Sequence, residues 1–328
     1  MARKKKKKSF GRKLFLILCI AVIIYGSYIG IKTSENGGGL EGFIAAVFGG
    51  STKDAKTINV LIVGVSEDLS IKLTDTIMIA RYNPSTQKAA LISISRDTFV
   101  GSSTASANGN SKLNAVYQSS GIDGLKKKVT SLTGLEIDEY VVVNNNAVIK
   151  IVDAMGGVKF DVPIDMDYDD PTQDLHIHLT KGLQKIDGEK AEWLLRFRHN
   201  NDGTSYPSSY GDNDYGRMRT QREFLKEMAK QLLSAKNILR AGKIINAALD
   251  NTDTSITKSF IGSYLGKALS FSTDNIMTIQ LEGSGQMYNK VWFSVYNKER
   301  NKVLLKEAED YLNTEIVKEA VEVTNETK

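Results

Sequence analysis

The spacing of apolar and polar positions changes several times along this chain. Residues 14–31, "LFLILCIAVIIYGSYIGI", run for eighteen positions without a charge. That length spans a bilayer at 1.5 Å rise per residue, with modest snorkelling at the flanks. Residues 32–56 are Gly-rich and read as a linker. From residue 57 strand and helix patterns alternate. "INVLIVGV" is apolar almost throughout, as in a central strand covered on both faces. Residues 77–82 and 89–95 are apolar and β-branched, and the "NPST" between them is turn chemistry, so they predict an antiparallel hairpin. A turn centred between Ser85 and Thr86 sets Asp75 opposite Arg96, with Asp97 beside it; a bulge would shift that by one residue. Helical patterns follow at residues 121–133, 145–157, 188–195, 213–235 and 298–312. "EYVVVN", "VKFDVP", "IMTIQLEG" and "VWFSVY" read as strands. The pattern predicts a three-layer α/β/α sandwich with a mixed central sheet over residues 57–313. A basic tail (1–13) and a single transmembrane anchor (14–31) precede it, and a polar tail (314–328) follows.

Charge sets the direction of the span. Eight of the first thirteen residues are Lys or Arg and none is acidic. Such a block stays in the cytoplasm, which places the rest of the chain outside. The apolar run exceeds a usual signal-peptide core and no A-x-A-like cleavage site follows it, which favours an uncleaved anchor. The whole chain has 43 basic and 38 acidic residues; without the eight of the tail the balance is 35 to 38. The basic pI therefore belongs to the tail and gives no reason to expect nucleic-acid binding. The single cysteine, Cys19, lies within the span, so the exported part has no disulfide. An exported, cysteine-free domain on an N-terminal anchor suits a bacterial surface without an outer membrane.

Candidate chemistry gathers in two places. The hairpin carries Asp75 before one strand and Arg96-Asp97 after the next. This is either a surface ion pair or one end of a sheet that collects charge for a ligand. Residues 196–224 hold the other concentration. Arg196 and Arg198 are two apart and share a face if the chain is extended. Asp214, Arg217 and Gln221 share a helical face near a helix N-terminus, where free amides and the dipole favour phosphate. Arg219 and Arg222 fall on other faces and are expected to be solvated. Forked guanidiniums match phosphate oxygens. A carboxylate among them orients an arginine or holds a cation, and Mg²⁺ binds through one or two carboxylates plus substrate phosphates. The combination fits a metal–pyrophosphate site. Two other clusters read more simply. His176 and His178 in "HIH" face one side of a strand, but no third zinc ligand has recognisable spacing. "DMDYDD" (165–170) lacks the glycine and terminal glutamate of a calcium loop and reads as an acidic loop.

"DTIM", "SISRD", "KLNAVY", "GGVKFDVP", "GLQKIDGEKAEWLLRFR" and "DNDYGRMRTQ" occur in that order. Together they resemble the LytR–CpsA–Psr phosphotransferases, from about residue 57 to 233 and more weakly to about 312. The resemblance implies an enzyme outside the cell membrane of Gram-positive bacteria. It would move an anionic glycopolymer (teichoic acid, capsular or related polysaccharide) from a polyprenyl-pyrophosphate carrier to a peptidoglycan hydroxyl. Asp75 corresponds to the family's Mg²⁺ aspartate. Arg96, Arg196, Arg198 and Arg217 correspond to its phosphate-binding arginines, with Asp214 and Gln221 in the same helical motif and Lys112 near the phosphates. Many members carry a second metal-side acid where this chain has Ser66; Glu67 and Asp68 follow it, and Asp68 is the candidate substitute, with Glu67 or no second acid as the alternatives. Ser95 stands where proline is usual. Asp97 or Asp75 is placed to accept the hydroxyl proton, and the prenyl tail requires an apolar cavity between the sheet and a helical layer. The competing reading is a non-catalytic receptor for anionic wall polymer or polyprenyl-phosphate lipid, in which Asp75 would matter little.

Overall fold

The most apolar strand lies inside the central sheet. In the computed structural model, residues 28–52, 56–66, 73–172, 174–211, 213–232, 234–238, 240–268 and 271–315 are described. The strands are β1 (Ile58–Ser66), β2 (Leu73–Asn83), β3 (Lys88–Ile94), β4 (Glu139–Val143), β5 (Val158–Val162), β6 (Met166–Asp170), β7 (Leu175–Leu179), β8 (Gly182–Ile186), β9 (Asp253–Thr254), β10 (Ile276–Gln280), β11 (Gly283–Tyr288) and β12 (Val291–Tyr296). The helices are α1 (Gly39–Phe48), α2 (Asn114–Thr133), α3 (Asn145–Met155), α4 (Gly188–Arg196), α5 (Asn213–Leu232), α6 (Ala235–Ile238), α7 (Ala241–Asn251), α8 (Lys258–Ala268) and α9 (Lys298–Asn313). The central sheet has the order β10-β3-β2-β1-β4-β9. It is mixed: β1 runs antiparallel to β2 and parallel to β4, and β10 runs parallel to β3. The result is a mixed α/β fold with a mixed central sheet.

One face of this sheet is a dry core. Leu61, Val63, Ile77, Ile79 and Ile92 alternate inward and are fully or almost fully buried with Leu125 and Val129 of α2 and Ala308 and Leu312 of α9. Each such side chain contributes about 1.5–3 kcal/mol relative to exposure. Arg81 lies on the same face, and its guanidinium reaches Asn59 Oδ1 (2.8 Å) and Glu309 Oε2 (2.5 Å). A second core joins β5–β8 and β6–β7, each a two-stranded sheet, to α3, α4 and α5. Phe160 and Phe224 meet edge to face within it.

The hairpin forms in the expected register, with Ile77 opposite Ile94 and Asn83 opposite Lys88. Asn83 Oδ1 accepts from Ser85 N (2.9 Å), the local bond that "NPST" predicts. Other readings change. "VKFDVP" pairs with β8 outside the central sheet. The helix expected from residue 121 begins at Asn114 and is broken at Gly121 (φ 62°, ψ −167°), a backbone that glycine tolerates. "DMDYDD" is not a loop: Met166–Asp170 is a strand paired with β7.

Residues 32–56, expected as linker, contain α1, which belongs with residues 256–268 in a unit separate from the central sheet. α1 packs on α8 across a glycine seam. A Cβ at Gly262 would lie 2.6 Å from Phe48 Cβ, and one at Gly266 would lie 2.7 Å from Glu41 Cα. Among the described residues no helix is long and apolar enough to cross a membrane. Most of the expected anchor lies outside the described residues.

Candidate functional site

The site starts from an irregularity in β2. Pairing with β1 runs from Gly64 opposite Thr76 to Val65 opposite Thr74, so Asp75 is the extra residue of a β-bulge. In a regular strand Asp75 and Thr76 would face opposite sides. The bulge re-aims the aspartate, and both residues line one cavity of about 430 Å³ on the sheet face opposite α2 and α9. Gly64 makes room beside them, since a Cβ there would lie 2.9 Å from Thr76 Cβ.

The deeper walls are apolar. Ile62 and Met78, paired neighbours on β1 and β2, face Val148 of α3, Leu195 of α4 and Leu225 of α5. Of the charged residues, Asp75 lies near the start of β2 and Arg96 just past β3, while Arg196, Asp214 and Arg217 stand on helices. Arg96 Nη1 donates to Asp75 Oδ1. Arg217, on the first turns of α5 and 7% exposed, sets Nη2 2.6 Å from Asp214 Oδ1, without hydrogen-bond alignment. Arg198 Nε lies 3.9 Å from the same oxygen. Arg196 Nη1 donates to Glu192 Oε1 (3.0 Å) one turn back in α4. Asp75 and the four arginines all line the cavity.

Burial acts differently on the two inner guanidiniums. It weighs against charge on Arg96, but Asp75, then Asp214 and Asp97, outweigh it, and the pKa lies above the ordinary arginine value. On Arg217 burial wins over Asp214, Arg96 adds repulsion, and the pKa is lowered. Arginine still carries its charge. Arg96 Nε, Arg217 Nε and Arg217 Nη2 are buried with no hydrogen-bond acceptor. Such unmet donors cost about 1–3 kcal/mol each, and more when charged. The positive charge of these guanidiniums, which line the cavity, favours an anion beside them.

Arg96, Arg196, Arg198, Arg217 and Asp75 are thus brought together around one cavity, with Asp214 behind them. The route for Arg196 differs from expectation: it closes α4, and Phe197, with φ −57° and ψ 135°, turns the chain out of the helix and is itself buried. Gln221 lines the cavity, but its amide is engaged on both sides, accepting from Thr76 Oγ1 (3.0 Å) and donating to Leu195 O (3.0 Å). It therefore positions β2 and α4 relative to α5. Lys112 donates to Asp97 Oδ1 (2.7 Å). Neither residue is in the cavity lining, and Asp97 Oδ2 lies 4.0 Å from Nε of the lining Arg96. Asp68 lies outside the described residues. Arg222 corrects a further expectation. It is half-buried, and its Nη1 donates to Ser93 Oγ (3.2 Å) and Gln280 Oε1 (2.9 Å), tying α5 to β3 and β10. Arg219 is exposed and sits 4.3 Å from the Tyr210 ring centroid. Glu192 and Tyr168 were missed in the sequence. Glu192 stands four residues before Arg196, a spacing that could have found it. Tyr168 was hidden inside the acidic run.

Fold and site together define an α/β protein with a cationic mouth on an apolar cavity. A model of the LytR_cpsA_psr family matches residues 33–310, and the chain belongs to that family. Biofilm regulatory protein A of Streptococcus mutans is 31% identical over 248 residues, which cover 71% of this chain and 58% of that protein. The Bacillus subtilis polyisoprenyl-teichoic acid–peptidoglycan teichoic acid transferase TagV is 28% identical over 235 residues, covering 70% of this chain and 57% of that one. The chain therefore spans less than three fifths of the length of either. The B. subtilis TagV crystal structure has the same fold, with a TM-score of 0.65 at 23% identity, covering 80% of this chain and 99% of that one. TagT bound to LI-WTA matches with a TM-score of 0.59 at 20% identity, covering 79% of this chain and 92% of that one.

Proposed function

We propose that this protein is a phosphotransferase that moves an anionic glycopolymer from a polyprenyl-pyrophosphate carrier to a peptidoglycan hydroxyl. One observation carries the reading: four arginines and Asp75 line one cavity together with apolar side chains of β1, β2 and three helices. A prenyl pyrophosphate has the matching polarity, a hydrocarbon chain for the cavity and phosphate oxygens for its mouth. The names of the transferase relatives support the same substrate class. In the reaction the acceptor oxygen forms a bond to the phosphorus carrying the sugar. The bond from that phosphorus to the bridging oxygen breaks, polyprenyl monophosphate leaves, and the hydroxyl proton passes to water or to the leaving phosphate. Arg96 and Arg217 would hold the oxygens on which charge develops, while Arg196 and Arg198 line the mouth around them. Catalysis of this kind rests on positioning and electrostatic stabilisation.

The cavity also suits Mg²⁺. Asp75 offers the hard carboxylate oxygen that this ion prefers, among phosphates that would complete its shell. When bound, the ion would neutralise pyrophosphate charge. Residues 14–31 would anchor the chain with its basic tail in the cytoplasm and the cavity outside. A reporter fused after Leu312 should be active only when exported.

The deciding experiment supplies the purified full chain, in detergent with Mg²⁺, with a polyprenyl-pyrophosphate-linked glycan and peptidoglycan. Covalent glycan on peptidoglycan and released lipid monophosphate are expected. Tight binding of the lipid with no turnover under these conditions would favour the receptor reading.

A further inference from the structure

The β6–β7 hairpin has one apolar and one polar face. Met166, Ile177 and Leu179 are buried on its inner side. On the outer side, the antiparallel register sets Asp167 opposite His178 and Asp169 opposite His176. Sequence spacing offered two histidines and no third ligand; the register supplies it. Asp169 Oδ1 lies 2.5 Å from His176 Nδ1 and 3.5 Å from His178 Nε2. The ligand atoms of these three residues all fall within 4.8 Å of one another. Each ring also has a carboxylate at its other nitrogen. Asp167 Oδ1 is 2.8 Å from His178 Nδ1, and Asp174 Oδ1 is 3.7 Å from His176 Nε2.

We propose that Asp169, His176 and His178 bind a divalent transition-metal ion of the zinc class on the outer face of this hairpin. Two imidazoles and one carboxylate select such an ion over Mg²⁺ or Ca²⁺, which take oxygen ligands. Three protein ligands on an exposed face leave a fourth, water-filled position. Asp167, within hydrogen-bond distance of His178 Nδ1, sets that ring's tautomer and orientation, as outer partners of metal-bound histidine do, and the charge of Asp174 stands near His176 Nε2. Ion pairing alone gives a poorer account, since exposed His–Asp contacts are weak in water and would not require both nitrogens of both rings to be addressed. The inner-facing Tyr168 and the strand neighbour Leu175 line the cavity described above. The ion would therefore fasten two strands together behind that cavity wall.

The test is a titration of the purified, chelator-stripped full chain with Zn²⁺ against a chromogenic competitor, together with the visible spectrum after Co²⁺ substitution. A single saturable site is expected. The double variant His176→Ala/His178→Ala should weaken it at least a hundredfold. Asp167→Asn, which leaves all three ligands in place, should weaken it by about tenfold to a hundredfold. His199→Ala, the chain's other histidine, should bind as the unaltered chain does, and thermal melts without metal should confirm that each variant is folded. Absence of saturable Zn²⁺ binding by the unaltered chain, or equal affinity in the double variant, would overturn the assignment.

Discussion

Two charged clusters in this protein are built differently, one from a bulged strand, a strand end and a helix, the other from residues alternating along paired strands, and they differ in solvent. The cavity cluster of Asp75, Arg96, Asp214 and Arg217 has side chains 30%, 22%, 22% and 9% exposed. On the outer hairpin face, His176 and His178 are each 53% exposed, and Asp167 and Asp169 are 80% and 46% exposed. A unit charge pair 4 Å apart is worth about 1 kcal/mol in water and about 4 kcal/mol at the effective dielectric near a protein surface. In the cavity, burial and neighbouring charge therefore move arginines in opposite directions and leave buried donors unmet. On the hairpin the same density of charge costs little, and its chemistry waits for a ligand that prefers nitrogen. Burial separates a cluster whose charges are partly desolvated from one whose charges stay in water.

The largest effects should come from the buried cluster. Asp75→Ala should abolish Mg²⁺-dependent glycan transfer while the far-UV spectrum is unchanged. Arg96→Ala and Arg217→Ala each remove a charge-assisted contact worth about 1.5–3 kcal/mol, so transfer should slow by roughly tenfold to a hundredfold or more. Transfer by Asp75→Ala at the unaltered rate would move the chemistry away from this cavity. Equal, negligible effects of both arginine variants would mean that the unmet donors face no substrate.

A smaller effect separates the half-buried and the exposed arginine on α5. Arg222→Ala should lower stability by about 1–3 kcal/mol, because Ser93 and Gln280 lose their shared partner. Arg219→Ala loses only exposed contacts with Tyr210 and backbone oxygens and should be near neutral. Thermal melts measure both. Indistinguishable melts would mean that Arg222 is as solvated as the helical wheel alone suggests.

That contrast shows what the sequence could convey. Apolar runs and turn chemistry located the hairpin, its register and the buried strand, because those depend on neighbours in sequence. The arginines to gather were legible from their types and spacing. The bulge that turns Asp75 inward was not, since nothing in "LTDTIM" marks which residue is skipped. Arg222 was misread because the partners that bury it lie 129 and 58 residues away. The Gly-rich segment hid α1, whose packing partner is α8, more than two hundred residues on. In "DMDYDD" the alternation of Met166 and Tyr168 with acids was a strand signal, masked by the density of charge.

The smallest effect belongs to the exposed cluster and tests its electrostatics without metal. The hydrogen bond that Asp169 accepts raises the His176 pKa above its ordinary value; desolvation opposes it, and the charges of Asp169 and Asp174 add to the rise. A raised folded-state pKa stabilises the protonated form. The contribution is fully present below the unfolded value of about 6.5 and is lost as pH rises through the folded value. Exposure to solvent keeps the effect on melting temperature small, so the sharper observable is the NMR titration of the His176 ring with a chelator present. Its midpoint should lie above the ordinary histidine value and fall toward it in Asp169→Asn. A midpoint at or below the ordinary value in the unaltered chain would show that water screens this pair completely, and that the hairpin face differs from the cavity even more than their exposures imply.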